Sequence, residues 1–186
     1  MHVLAGKYRG RFLQSSPSRR VRPTARRLRE ALFELLSFRV EGARFLDLCA
    51  GSGAVGIEAL SRGASHVTFV DRSPRMCGFI ESNLAACGVP GGQAEIWLSD
   101  AEHFLRRSLI QRDRVWDIAF FDPPYAVPYA PVLEAFGTAE LLRPRGGVLV
   151  AEHHCDNPLP EQGGALKRWR TIRQGDSCLS FYERKN

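Results

Sequence analysis

The chain reads as an α/β protein, with a Rossmann-like, mostly parallel seven-stranded sheet that ends in an antiparallel hairpin strand. Three observations predict this. From residue 44 onward, short apolar β-rich runs alternate with helical segments, the pattern of parallel strands covered on both faces. After residue 165 the pattern changes: Trp169–Gln174 and Cys178–Arg184 flank Gly175-Asp176, a hairpin signal. The 186 residues, 44% of them hydrophobic, suffice for one well-packed core.

Residues 1–22 read as a small basic arm, and 23–186 as the main domain. Within the arm, Gly6 and Gly10 lie amid Lys7, Tyr8, Arg9 and Arg11, which suits a small hairpin over the first fourteen residues. Pro23-Thr24 opens a helix whose apolar stripe is Leu28, Leu32, Leu35 and Leu36, with Arg26, Arg27 and Glu30 on the other face. The expected strands are Phe45–Ala50, His66–Val70, Glu95–Leu98, Ile118–Asp122 and Val148–Glu152, and the expected helices cover about 54–62, 74–87, 101–109 and 130–142. Gln14–Pro23, Gly88–Gly92 and Asn157–Gly164 read as loops.

Charge is distributed unevenly along this frame. The net charge is +6, yet residues 1–29 hold nine basic residues and no acidic one, which leaves the remainder at −3. A basic arm on a mildly acidic body points to a polyanion, nucleic acid first. The candidate phosphate contacts are Lys7, Arg9, Arg11, Arg19, Arg20, Arg22 and Arg26. Five widely spaced cysteines without a CxxC pair argue against a disulfide scaffold or a zinc ribbon and favour a reducing cytoplasm. No apolar run is long enough for a membrane span, and the first residues lack the apolar stretch of a signal peptide.

Gly51-Ser52-Gly53-Ala54-Val55-Gly56 is a literal GxGxxG between a strand and a helix, with Asp71 ending the next strand. Alone it would suggest a dinucleotide. Asp47, four residues before the first glycine, changes the reading. A carboxylate there repels a pyrophosphate and attracts a ligand carrying an ammonium or a sulfonium, and S-adenosylmethionine carries both. Asp47 also suits a loop-bracing role compatible with such binding. Asp71 would accept from the two ribose hydroxyls, and Ser99-Asp100 would face the adenine amino group. The candidate cofactor contacts are Asp47, Cys49, Ala50, Gly51, Ser52, Gly53, Asp71, Arg72, Asp100 and Ala101.

Asp122-Pro123-Pro124-Tyr125 follows the apolar run Ile118–Phe121. Two prolines cannot continue a sheet ladder, so the chain leaves the strand in a stiff loop at its carboxyl end, where open α/β sheets bind ligands. Phe120 and Phe121 read as core. Cys49 has no neighbouring His and reads as a structural thiol. His153-His154-Cys155 is a poor metal site, because adjacent strand residues point to opposite faces.

Paired with the glycine loop about 70 residues earlier, this tetrapeptide resembles the (D/N)PP(Y/F) amino-methyltransferases. The resemblance implies that Asp122 and a proline-stretch carbonyl would accept from an exocyclic amine, turning its lone pair toward the donor methyl, while Tyr125 would stack on the extruded base. Ala5-Gly6-Lys7-Tyr8-Arg9-Gly10-Arg11, Arg22-Pro23-Thr24, Arg29-Glu30-Ala31-Leu32-Phe33, Leu46–Ala54 and the closing Gly175-Asp176-Ser177 further resemble the RsmD family, bacterial 16S ribosomal RNA guanine-N2 methyltransferases. That family implies a class I methyltransferase fold, S-adenosylmethionine as donor, Asp122 to Tyr125 as the catalytic tetrapeptide, no metal, and 16S ribosomal RNA as partner, either free or within an assembling small subunit. Cys49 stands where an aromatic residue is expected, and His153-His154-Cys155 is an unusual replacement. The alternatives are a DNA or other RNA amino-methyltransferase, or a catalytically silent RNA-binding module. A DNA enzyme would need a recognition domain for which 186 residues leave no room.

Overall fold

The computed structural model describes residues 1–15, 23–111, 115–124, 127–138 and 140–185. Its elements are α1 (Pro23–Leu35), β1 (Arg44–Leu48), α2 (Ala54–Ser61), β2 (His66–Asp71), α3 (Pro74–Cys87), β3 (Ala94–Leu98), α4 (Ala101–Gln111), β4 (Ile118–Phe121), α5 (Ala130–Thr138), β5 (Val148–His154), β6 (Gln162–Gly163), β7 (Leu166–Gln174) and β8 (Ser177–Arg184). They form one sheet in the order β3-β2-β1-β4-β5-β8-β7-β6. The pairs from β3 to β5 are parallel, and β5 to β8, β8 to β7 and β7 to β6 are antiparallel.

Period-2 alternation along the strands sorts two cores onto the two faces. Phe45, Val67, Phe69, Phe120, Val150 and Leu179 meet the stripe Leu28, Leu32 and Leu36 together with Ile57 of α2 and Ile80 of α3. Leu46, Leu48, Val70, Phe121 and Leu149 meet Phe104 and Leu105 of α4 and Val132, Leu133 and Phe136 of α5. Phe120 and Phe121 are core, as expected. Gly56 brings α2 onto the sheet: a Cβ there would lie 2.3 Å from the Phe69 ring.

Three expectations are corrected. The sheet has eight strands, because Gln162–Gly163, within the expected loop 157–164, pairs with Leu166 and Lys167. The helix expected to reach 142 ends at Thr138, since Leu142 instead bridges Trp116. Cys155 and Cys178 form a disulfide, with Cα atoms 5.1 Å apart across 23 residues. The β5–β8 register, with His153 opposite Cys178, supplies a proximity that spacing alone did not show.

The N-terminal segment makes the expected turn, through a single antiparallel bridge between His2 and Phe12 rather than a strand pair. It is docked: Val3, Tyr8 and Leu13 are buried in the core shared with α1 and α2. Arg19, Arg20 and Arg22 lie outside the described residues.

Candidate active site

The chain runs from β1 through β2 to β3 in one direction and returns to β4 on the other side of β1. This reversal opens a crevice beyond the carboxyl ends of β1 and β4, the position at which doubly wound sheets bind ligands. The glycine loop leaves β1 there, and Asp122-Pro123-Pro124 leaves β4 beside it.

Asp47 is buried at 1% exposure, and its Oδ2 accepts from the Gly56 N–H at 2.9 Å, so it braces the loop at the start of α2. Burial pushes its carboxyl up to about 7. The Gly56 N–H works against that shift, while Asp122 and then Asp71 add to it. Asp71 accepts from the Gly51 N–H at 2.8 Å with one oxygen and from the Ser73 N–H at 2.9 Å with the other. Each oxygen therefore keeps one lone pair directed elsewhere. Cys49, at φ 61 the one non-glycine residue in the left-handed region among the described residues, lies between these carboxylates. Burial, then Asp71, Asp122 and Asp47, raise its thiol to about 12, so it is a neutral group and not a nucleophile.

Two hollows meet at Cys49. The first, about 160 Å³, is lined by Asp47, Ala50, Ser52, Asp122, Glu152 and apolar groups from beneath α1, including Ala25, Leu28 and Leu32. The second, about 140 Å³, is lined by Asp71, Arg72, Ser99, Asp100, Ala101, Pro124 and the apolar wall Val127, Pro128, Pro131 and Val132. Of the ten residues expected at a cofactor, eight line these hollows, and Gly51 and Gly53 shape the loop between them. Asp100 is also the cap of α4, accepting from the His103 N–H at 2.9 Å. Asp122 is half-buried and Pro123 is buried. The Pro124 carbonyl accepts from the Val127 N–H at 2.9 Å. Tyr125 lies outside the described residues.

Lys7, Arg9 and Arg11 are exposed. The hairpin tip that bears Lys7 hydrogen bonds to Ser61 at the far end of α2, about 12 Å along that helix from the glycine loop. Arg26 is exposed and paired with Glu30 at 2.9 Å. His153 is buried and bonded to Ser180, His154 lies near Asp156, and Cys155 is in the disulfide.

Four residues around the crevice were not singled out for a role in the sequence, although Arg29 falls within a segment that carries the family resemblance. Glu58, fully buried, accepts from the N–H groups of Leu4 and Ala5 and from Arg62. Arg29 of α1 lies 4.0 Å from it and donates to the His2 carbonyl. Asn83 of α3 donates to the carbonyls of both Ser52 and Gln14, tying the glycine loop to the N-terminal segment. Glu152 of β5 lines the first hollow together with Asp122. These roles depend largely on residues up to 69 positions away or on a neighbouring strand; for Glu58 and Glu152 the trace in the sequence is polarity within an otherwise apolar element.

A family model described as "Conserved hypothetical protein 95" matches residues 1–183. The chain is 32% identical to the Ribosomal RNA small subunit methyltransferase D of Escherichia coli K12, covering 100% of this chain and 90% of that protein. It is 33% identical to the protein of the same name from Haemophilus influenzae, over 92% and 89%. Among solved structures, a hypothetical protein of Thermus thermophilus is 32% identical and superposes with a TM-score of 0.81, over 97% of this chain and 98% of that one.

Proposed function

Since the chain belongs to the RsmD family that the Conserved hypothetical protein 95 model describes, we propose that it transfers a methyl group from S-adenosylmethionine to the exocyclic N2 amine of a guanine in small-subunit ribosomal RNA. The observation that carries this reading is the meeting of the glycine loop and Asp122-Pro123-Pro124 at one crevice, with carboxylates on both sides of Cys49. An adenosine group fits the second hollow: the open lone pairs of Asp71 suit ribose hydroxyls, and Val127, Pro128 and Val132 give an apolar bed for a base. A cationic amino-acid end fits the first hollow beside Asp47, where a carboxylate acts in a poorly solvated space. Bound there, S-adenosylmethionine supplies an electrophilic methyl group.

The chain's own task is alignment. The lone pair of a guanine N2 is delocalised into the ring, so the amine is a poor nucleophile until it is made pyramidal. Asp122, held at the end of β4 by its N–H to the Leu48 carbonyl at 3.4 Å, accepts from the amine and turns the lone pair toward the donor. Pro123 and Pro124 stiffen the loop, which lowers the entropy of reaching that geometry. Tyr125, outside the described residues, takes the role that the resemblance implies, stacking on the base. The amine becomes acidic as it is alkylated, so Asp122 needs no raised pKa.

Labelled-methyl transfer on undermodified small-subunit particles, free ribosomal RNA and duplex DNA, followed by nucleoside analysis, tests the reading. The expected product is N2-methylguanosine from ribosomal RNA or its particle. Label in N6-methyladenine of DNA, or no transfer to any of the three, would overturn it.

A further inference from the structure

Strands β4 and β5 pair in parallel, with Phe121 opposite Ala151. The next residue along each strand is a carboxylate, Asp122 on one and Glu152 on the other. Both line the first hollow, together with Asp47, Phe120 and Leu179, so both face the same side of the sheet, under α1. Leu179 is the register partner of Glu152, and Asp47 that of Phe120. Glu152 is half-buried, and its backbone is fixed: its carbonyl accepts from the Tyr129 hydroxyl at 2.8 Å, which ties the end of β5 to the loop that carries Asp122.

Two carboxylates on adjacent strand ends fit one feature of a guanine edge. The exocyclic N2 amine is flanked by N1–H, a donor; the N6 amine of adenine is flanked by N1 without hydrogen, an acceptor. A carboxylate beside Asp122 accepts from the first and repels the second, and a half-buried carboxylate that a bound base covers meets a facing lone pair with a strong rejection. Resting on the methyl-transfer reading above, we propose that Glu152 determines base specificity, accepting from N1–H of the target guanine while Asp122 accepts from the N2 amine.

The test uses small-subunit particles assembled on ribosomal RNA in which the mapped target nucleotide is either guanosine or 2-aminopurine ribonucleoside. The analogue keeps the 2-amino group, replaces N1–H with a lone pair and also lacks O6, so what decides is how the preference changes between wild type and the Glu152 variant. Wild-type enzyme should prefer guanosine in kcat/KM by a factor on the order of tenfold to a hundredfold. Glu152→Gln can present either an oxygen or an N–H, so that preference should collapse to within about threefold, with activity on the analogue rising. S-adenosylhomocysteine affinity, measured by calorimetry, should stay within about twofold of wild type. A residue acting only structurally would lower both rates together and leave their ratio alone, so an unchanged ratio in the folded variant overturns the proposal. Cofactor affinity lost tenfold or more would assign Glu152 to the donor's ammonium and overturn it as well. A wild-type enzyme that transfers no methyl group to N2 of the guanosine particle would overturn the functional reading and this inference with it, whereas a guanosine-methylating enzyme with an unmoved ratio overturns this inference alone.

Discussion

Asp47 holds its place by one backbone hydrogen bond against the desolvation of its charge, and pH separates the two effects. Its carboxyl titrates at about 7 in the fold against 3.8 when free. Between those values the native state keeps a proton that the unfolded chain has released. Stability therefore falls as pH rises from about 4 to about 7 and levels off above that, by up to about 4 kcal/mol on the scale of 1.4 kcal/mol per unit. Asp47→Asn keeps an oxygen for the Gly56 N–H and cannot ionise, so its urea midpoint should lack this decline. Equal pH slopes for the two proteins would remove the buried charge as the cause. Asp122 answers to a different measurement. Asp122→Ala should leave the fold and S-adenosylhomocysteine affinity nearly intact and lower kcat by about a hundredfold or more, since the amine loses the acceptor that orients it. Asp122→Asn should recover part of that loss, because the amide oxygen still accepts. Single-turnover rates equal to wild type in Asp122→Ala would end the alignment role.

The N-terminal hairpin is an element held in place almost entirely from outside itself. Lys7 donates its N–H to the Ser61 carbonyl at 2.7 Å and Tyr8 its N–H to the Ser61 hydroxyl at 2.9 Å, while Glu58 accepts from Leu4 and Ala5. Gly6 permits the approach: its φ is +78, and a Cβ would sit 1.8 Å from the Ser61 carbonyl oxygen. Gly6→Ala must break that contact as well as strain the backbone, and should lower unfolding free energy by at least about 2 kcal/mol; a urea midpoint unchanged from wild type would contradict the docked geometry. This element also shows what a sequence can convey. The five parallel strands were legible because doubly covered strands are apolar throughout, and α1 because its leucines repeat at helical spacing. Val3, Tyr8 and Leu13 follow neither period, so the segment read as a small basic arm or hairpin and its docking on the core was not legible. β6 has two residues, Gln162 and Gly163, and exists only because β7 lies beside it. At the site the division is the same. Asp47, Asp71 and Asp122 stand at fixed offsets from glycines or prolines that announce a turn, whereas Glu58, Asn83 and Glu152 acquire their roles from chain far away in sequence.

Across the whole molecule, a basic N-terminal stretch is separated from an acidic remainder, and on the proposed function this would give substrate attraction and methyl-donor binding different locations. The carboxylates cluster at the crevice, where they suit a cation and would repel a phosphate backbone. A polyanion must then be held by charges away from that edge. Lys7, Arg9 and Arg11 meet this requirement: they are exposed, on a hairpin whose position is fixed by backbone contacts, with the exposed ring of Phe12 beside them. Each phosphate they neutralise releases counterions and adds roughly 0.7–0.9 to the slope of log affinity against log salt. Replacing all three with Ala should therefore flatten the slope for ribosomal RNA by roughly 2 to 2.7 and weaken binding most at low salt. The hairpin's anchoring bonds use backbone N–H groups and not these side chains, so the thermal midpoint should hold, and S-adenosylhomocysteine affinity should be unchanged because the crevice lies at the other end of α2. If filter binding over a range of potassium chloride gives the same slope for the triple variant as for wild type, these three charges face water alone, and the RNA must be held by other basic residues.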